Sequence, residues 1–148
     1  MAKRLEEERA DLEANPDERF FVESKTSDLS WTMRMMIDDA ADCCYAGGCY
    51  ELEVTFPAEY PFKMPIITWN PPPFHTCISQ EDGTCNGGQW DQKWGPTKNV
   101  RWIMCELYKM FLDEGSDGYL EAGIERLKQD NYEAFVKKVK DQITELNE

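Results

Sequence analysis

The chain has 148 residues, of which 41% are hydrophobic and 30% charged, a composition typical of a folded globular protein that excludes wholesale disorder. A chain of about 150 residues buries roughly 70% of its unfolded surface, so we predict a single domain over residues 1–148 that folds without disulfide bonds. The 16 lysines and arginines face 29 aspartates and glutamates, and the resulting net charge of −13 repels phosphate backbones and excludes nucleic acid as the main partner.

The first third of the chain predicts one helix followed by two strands. Residues 3–14 are good helix formers, and the Asn15-Pro16 pair ends them. Residues 20–23 and 30–37 are strand-like. We therefore expect a helix that precedes the strands along the chain.

An alternating segment predicts the best-defined strand. Gly47-Gly48 marks a turn, after which apolar side chains occupy every second position. These side chains are Tyr50, Leu52, Val54 and Phe56. A period of two is that of a strand with one buried face. Prolines then lead into a further apolar stretch, Ile66–Trp69, which a triple proline ends.

The second half predicts a long loop and then helices. Residues 74–97 are rich in turn signals, and an irregular segment of some 20 residues in a compact protein is usually functional. From Val100 to Phe111 the apolar side chains recur at helical spacing, which predicts a buried helix. Further helices are predicted near residues 119–128 and over residues 130–147. Strands followed by grouped helices indicate the α+β class.

The cysteines are predicted to be reduced thiols rather than metal ligands or disulfides. The N-terminal segment has no apolar stretch of the secretory type, and no apolar run approaches the roughly 18 residues of a membrane span. We therefore expect a cytoplasmic or nuclear protein with no membrane partner, in which disulfides are rare. No CxxC pair occurs and His75 is the only histidine, so we predict no metal site.

Several segments in order resemble the ubiquitin-conjugating (E2) family. The stretch YAGGCYELEVTFPAEYPFKMPIITW is similar to that family's Tyr-x-Gly-Gly turn, strand and Phe-Pro-x-x-Tyr-Pro-Phe-x-x-Pro segment. His75 stands where the family's His-Pro-Asn motif begins, and Trp94-Gly95-Pro96 resembles its Trp-x-Pro loop. The C-terminal LEAGIERLKQDNYEAFVKKV resembles its last two helices.

The resemblance implies a fold and an activity. The fold has an N-terminal helix, a four-stranded antiparallel sheet and C-terminal helices. In the activity, a cysteine receives ubiquitin or a ubiquitin-like protein from an activating enzyme as a thioester. It then passes the modifier to a lysine or to a ligase cysteine. Expected partners are therefore the modifier, an activating enzyme, and a ligase or a second conjugating enzyme. The activating enzyme uses the ATP, so we expect no cofactor in this chain.

The resemblance also assigns roles to individual residues. Cys85 lies ten positions after His75, the offset of the family's nucleophile, and is the predicted nucleophile. The motif here reads His75-Thr76-Cys77, so Cys77 replaces the amide expected near the oxyanion, and a thiol is a weak donor. His75 is expected to fasten the loop. Asp117 is the predicted acid near the incoming lysine.

A second way of aligning the motif leaves the identity of the residue at the active position undecided. Counting from Gly83 instead of His75 puts Asn86 at the active position, and the chain would then be catalytically inactive. Cys77 is the third candidate for the working thiol. An inactive variant would act as a scaffold or binding module in a complex, and an interaction domain of the broader related fold, without a modifier, is a further alternative.

The family meets ligases and activating enzymes through its first helix and two loops. By resemblance the corresponding residues are Lys3, Arg4, Phe62, Trp94 and Pro96. Three glutamates follow the basic pair on the first helix, and they would weaken binding to an acidic activating enzyme. Phe62 stands between prolines, so we predict that it is an exposed anchor rather than a core residue.

Overall fold

The computed structural model describes residues 1–85, 92–115 and 118–147. In chain order the elements are α1 (Ala2–Ala14), β1 (Phe20–Ser27), β2 (Ser30–Met36), β3 (Cys49–Thr55), β4 (Ile66–Trp69), α2 (Val100–Leu112), α3 (Ala122–Asp130) and α4 (Tyr132–Leu146). This order confirms the predicted α+β arrangement of an N-terminal helix, four strands and C-terminal helices.

The four strands form one antiparallel sheet in the order β1-β2-β3-β4. Met33 of β2 lies opposite Leu52 of β3, and Val54 of β3 lies opposite Ile67 of β4. All four side chains are fully buried, because alternate residues of each strand point to the same face of the sheet. The period of two along β3 therefore marks the core face, as the sequence predicts.

β1 is longer than the apolar pattern predicts. It extends beyond residue 23 to Ser27, and Lys25 and Ser27 pair with Trp31 and Ser30 of β2. The side chains in this extension are exposed. Backbone pairing with β2, rather than hydrophobic burial, therefore sets the end of the strand.

The helix α2 packs its buried face on the core side of the sheet. Phe111 near its C-terminal end is fully buried and stacks on Tyr50 of β3 with ring centroids 5.1 Å apart. Its edge contacts include Trp69 of β4 at 5.3 Å and Tyr45 at 5.1 Å. Aromatic pairs of this kind stabilise a core beyond their buried area. This cluster lies directly beneath the loop that carries His75.

The third helix begins later than predicted. The sequence predicts a helix near residues 119–128, whereas α3 starts at Ala122. The backbone amides of Leu120 and Glu121 instead both donate to the carbonyl of Thr76, at 2.8 and 2.9 Å. These two residues therefore bridge to the loop of the predicted motif and do not form a helical turn.

Candidate functional site

His75 holds the start of the candidate site in place from inside the core. Its side chain is fully buried, and its Nδ1 accepts a hydrogen bond from the amide of Cys77 at 2.9 Å. Nε2 therefore carries the proton and donates to the carbonyl of Met110 at 2.9 Å. Burial removes water from the imidazolium and lowers the pKa of His75 from 6.5 to about 4. The ring is neutral near pH 7 and joins the loop to α2.

Cys77 is the residue predicted to stand where the family has an amide. Its thiol is partly buried and donates to the carbonyl of Gly118 at 3.2 Å. Burial raises the pKa of this thiol, so the thiolate is disfavoured. The contact ties the motif loop to the segment that precedes α3. The thiol of Cys77 is a weak donor, and its one hydrogen is already engaged with the carbonyl of Gly118.

Cys85 has its side chain in the core. The residue is only 2% exposed, and its Sγ accepts a hydrogen bond from the indole Nε1 of Trp69 at 3.3 Å. The preceding residue, Thr84, forms an antiparallel bridge with Thr68 at the edge of the sheet. Alternation along an extended segment then directs the neighbouring side chain to the opposite face. The predicted role of Cys85 as nucleophile stays a prediction, and its thiol is not at the surface in this conformation.

Gly83 fixes the turn that leads to Cys85. Its φ is +77°, and an added Cβ would lie 2.2 Å from the carbonyl oxygen of Trp69. Only glycine accepts this conformation and this close approach without strain. The amide of Trp69 also donates to the carbonyl of Gly83 at 2.9 Å, so a hydrogen bond joins the same two residues. The position of this glycine is therefore set by contact with β4.

Two predicted site residues lie outside the described residues. They are Asn86, the alternative occupant of the active position, and Asp117, the predicted acid. Neither prediction is tested by the contacts of the residues on either side. No group of three or more histidine, cysteine or carboxylate side chains in the described ranges could hold a metal ion. Across the same ranges, no helix has both the length and the apolar character needed to cross a membrane.

The two predicted partner loops are joined to each other. Phe62 is 75% exposed, whereas Tyr60 two positions earlier is buried. Trp94 is partly buried, and its Nε1 donates to the carbonyl of Pro61 at 2.8 Å. Pro96 is exposed beyond it. The structure thus brings Phe62, Trp94 and Pro96 onto two connected loops, with Trp94 as the link between them.

Arg4 is engaged within the chain. Its Nε donates to Glu8 at 3.0 Å, its Nη2 donates to the carbonyl of Lys98 at 2.6 Å, and its guanidinium lies 5.5 Å from the centre of the Tyr60 ring. Lys3, the other predicted basic contact, is exposed. The two basic residues therefore differ, because Arg4 is held by contacts within the chain whereas Lys3 faces solvent.

Glu8 is a residue that the sequence reading missed. Its side chain is 12% exposed, and its carboxylate accepts hydrogen bonds from Arg4, from Tyr60 OH at 2.5 Å and from the amide of Val100 at 2.8 Å. The last bond satisfies one of the free amides at the start of α2. Leu5 and Leu12 lie on the same helical face as Glu8, and that spacing is the signal that could have shown it to point inward.

In the turn after α2, the sequence alone does not show the contacts that Glu114 makes. Glu114 has a φ of +56°, and its carboxylate accepts from the amide of Cys44 at 2.7 Å and from Tyr132 OH at 2.6 Å. Its own carbonyl accepts from Nζ of Lys128 at 2.8 Å. Gly115 follows, and an added Cβ there would lie 2.2 Å from Oγ1 of Thr76. This turn therefore packs directly on the motif loop.

Comparison with known proteins agrees with this architecture. A family model described as ubiquitin-conjugating enzyme matches residues 4–143. The ubiquitin-conjugating enzyme E2 of African swine fever virus (isolate Pig/Kenya/KEN-50/1950) is 24% identical over 114 residues, which cover 72% of this chain and 51% of that protein. The "Probable ubiquitin-conjugating enzyme E2 31" of Arabidopsis thaliana is 31% identical over 87 residues, which cover 59% of this chain and 56% of that protein. The chain spans about half the length of the curated relatives it matches.

The same relationship holds for the three-dimensional structure. A Toxoplasma gondii ubiquitin conjugating enzyme E2 domain superposes with a TM-score of 0.83 and 20% identity, covering 96% of this chain and 95% of that one. At this identity the likeness shows the fold. The family model covers nearly the whole chain, and the sheet, the His75 loop and the C-terminal helices follow in the family's order. The chain belongs to the ubiquitin-conjugating enzyme family.

Proposed function

We propose that the chain is a member of the family that does not carry the modifier on Cys85 and acts as a binding module in a conjugating complex. The observation that carries this proposal is the inward orientation of the Cys85 side chain, which is 2% exposed. A thiol that exchanges with a protein thioester must reach the incoming thioester carbon as a thiolate. The thiol of Cys85 faces an indole of the core instead.

The motif loop supports the same proposal. In the family, an amide near the oxyanion would stabilise the tetrahedral intermediate, and loss of one such donor costs about 10²–10³ in rate in other enzymes. Cys77 replaces that amide, and its thiol already donates to Gly118. Neither thiol of this region is thus both exposed and free of an intramolecular contact among the described residues.

The retained binding loops give the module its role. Phe62 and Pro96 are exposed on loops held by Trp94, and this exposure supports a role for them in meeting a ligase or a second conjugating enzyme. Preorganised loops bind with a smaller entropic cost than mobile ones. We expect the partner to belong to a ubiquitin or ubiquitin-like conjugation pathway, and the chain to need no cofactor.

An active conjugating enzyme is the second candidate. The family match over residues 4–143 and the ten-residue offset between His75 and Cys85 favour it. The loop would then have to turn Cys85 outward, so that its thiolate could take the modifier from the activating enzyme. The thioester would pass to a lysine amine, helped by Asp117, or to a ligase cysteine.

A charging assay separates the two candidates. The purified chain is incubated with activating enzyme, ATP and ubiquitin, and non-reducing gels are inspected for a band that reductant removes. We expect no such band for the wild type. A band that forms with the wild type and Cys77→Ala but is lost in Cys85→Ala would overturn the proposal and establish the second candidate.

A further inference from the structure

We propose that Tyr132 is a phosphorylation site for a tyrosine kinase with a basic substrate groove, and that its phosphate releases the turn that packs on the motif loop. The motif loop comprises residues 75–77, and the turn comprises residues 113–115, which follow α2. Tyr132 is the first residue of α4 and lies at the junction with α3. This role is separate from the proposed function, because it does not depend on whether the chain carries a modifier.

Tyr132 is one of two tyrosines that a kinase can reach. The chain has six tyrosines, and four of them are buried in the core. Tyr119 and Tyr132 are 59% and 48% exposed. Residues 129–133 are all exposed and include Asn131, the single residue between α3 and α4. Segments that connect helices run over the surface, where a second protein has access to them.

The charges beside Tyr132 indicate the kind of kinase. Asp130 precedes it by two positions, Glu133 follows it directly, and both are exposed. The charged side chains within two residues of Tyr132 are therefore negative. Opposite charges speed the association of two proteins, and like charges disfavour it. A kinase whose substrate groove is basic therefore suits this junction.

The hydroxyl of Tyr132 holds a turn with an unusual backbone. It donates to the carboxylate of Glu114 at 2.6 Å, and the same carboxylate accepts from the amide of Cys44 at 2.7 Å. Among the described residues, Glu114 is the one non-glycine residue with a positive φ, +56°. A residue with a side chain is disfavoured in this conformation and keeps it where surrounding contacts impose it. Tyr132 supplies one of those contacts from the surface.

The turn connects Tyr132 to the motif loop. Gly115 follows Glu114 and is buried. A Cβ added to Gly115 would lie 2.2 Å from Oγ1 of Thr76 and 3.3 Å from Sγ of Cys77, so the turn and the motif loop are in close contact. Closely packed segments transmit a displacement, because no free space absorbs it. A change in the backbone at Glu114 is therefore expected to reach the motif loop.

Phosphorylation replaces attraction between Tyr132 and Glu114 with repulsion. The hydroxyl oxygen attacks the γ-phosphorus of ATP, the bond from that phosphorus to the bridging oxygen breaks, and ADP leaves. The hydroxyl proton passes to the catalytic base of the kinase. The phenolic oxygen of the product has no hydrogen to donate, and the phosphate carries about −1.5 to −2 charges at pH 7. The carboxylate is then repelled, and its contact with the Cys44 amide is lost.

The test uses the folded full chain labelled with ¹⁵N, ATP with Mg²⁺, and a purified tyrosine kinase. The kinase is chosen because it phosphorylates a synthetic peptide of residues 124–138, so its acceptance of the sequence is established beforehand. Mass spectrometry locates the phosphate and measures its stoichiometry. We expect phosphate on Tyr132 of the folded chain, and we expect the same in Tyr119→Phe, in which Tyr132 is the one exposed tyrosine left.

Two readouts measure the release of the turn. The amide proton of Cys44 should shift upfield on phosphorylation, the direction for an amide that loses its bond to a carboxylate. The amide of Leu120 donates to the carbonyl of Thr76 and should shift as well, whereas that of Leu52 in the sheet should not. The melting temperature should fall by about 5 °C, since one charged hydrogen bond is lost.

Glu114→Gln separates repulsion from a general effect of the phosphate. The amide of glutamine can accept from Cys44 and also donate to a phosphate on Tyr132. Phosphorylation of Glu114→Gln should therefore lower its melting temperature by less than about 2 °C relative to the same variant without phosphate. A phosphate that simply destabilised the start of α4 would lower the melting temperature equally in the wild type and in this variant.

Three results would overturn the inference. They are an unmodified Tyr132 in the folded chain with a kinase that accepts the peptide, a phosphate on Tyr132 that leaves the Cys44 signal in place, and an equal fall in melting temperature in Glu114→Gln. The charging assay is independent of all three. A wild type that charges on Cys85 would refute the proposed function, whereas any of these three results would refute only the role of Tyr132.

Discussion

The buried imidazole of His75 makes a quantitative prediction about acid stability. His75 is the only histidine of the chain and is fully buried, with Nδ1 accepting from Cys77 and Nε2 donating to Met110. Burial disfavours its charged form and lowers its pKa from 6.5 to about 4. Protonating the ring in the folded state would also remove the acceptor that holds the Cys77 amide.

The magnitude follows from the two pKa values. Between pH 6.5 and about 4 the unfolded chain binds a proton at His75 and the folded chain does not, so stability falls as the pH falls. A tenfold difference in proton affinity is worth about 1.4 kcal/mol, which gives a loss of about 2 kcal/mol by pH 5 and about 3 kcal/mol by pH 4. The contribution is fully present above about pH 7, and its loss levels off near about pH 3, below the folded pKa.

Two measurements test this prediction. The single imidazole allows a direct NMR titration of the native state, which should show His75 titrating near pH 4 if the fold persists. Urea unfolding between pH 7 and pH 5 should then show a smaller loss of stability in His75→Gln than in the wild type. Arg19 lowers the pKa of Asp17 from 3.8, so the contribution of Asp17 to stability is lost only below pH 5 and does not interfere with this comparison. Native-state titration of His75 near pH 6.5 would refute the reasoning.

Three further substitutions test other parts of the structure. Gly115→Ala should lower the unfolding free energy by about 3 kcal/mol, because φ is +76° and a Cβ would meet a buried hydroxyl at 2.2 Å, whereas Gly123→Ala, with open space around it, should change it little. Equal effects in urea unfolding would contradict this account. Glu8→Gln should lower the free energy of unfolding by about 1–3 kcal/mol, because the carboxylate accepts three hydrogen bonds. The matched control Glu7→Gln, at an exposed position, should leave the free energy of unfolding nearly unchanged. An equally small effect of Glu8→Gln would contradict the burial of this carboxylate. Phe62→Ala should change the melting temperature by less than about 2 °C, because the ring is 75% exposed. A large drop in the melting temperature would show that the ring is packed in the core.

The elements with strong local periodicity could be predicted from the sequence. Alternation in β3 and helical spacing in α2 each report a buried face, and both elements lie where the pattern predicts. The end of β1 and the start of α3 could not be predicted in this way. The extension of β1 is set by pairing with β2, and Leu120 is held by a bond to Thr76 far away in sequence.

The site was predicted less completely than the fold for the same reason. The offset from His75 and the offset from Gly83 give different active residues, and sequence distance alone cannot choose between them. The orientation of Cys85 depends on the contact of Gly83 with β4 and on the indole of Trp69. Likewise, the sequence alone predicts Arg4 to be a surface cation and does not show its hydrogen bond to the carbonyl of Lys98. Contacts between distant segments set the orientation of Cys85 and of Arg4, whereas the choice between Cys85 and Asn86 stays a prediction.

The central claim of this account is that Cys85 does not carry the modifier, and one substitution tests it most directly. If the register counted from Gly83 is correct, Asn86 stands at the family's active position and the wild type has no usable thiol there. The account predicts that Asn86→Cys, incubated with activating enzyme, ATP and ubiquitin, forms a reductant-sensitive conjugate, while the wild type and Cys85→Ala form none. A conjugate that forms with the wild type and is lost in Cys85→Ala, with none gained in Asn86→Cys combined with Cys85→Ala, would contradict it.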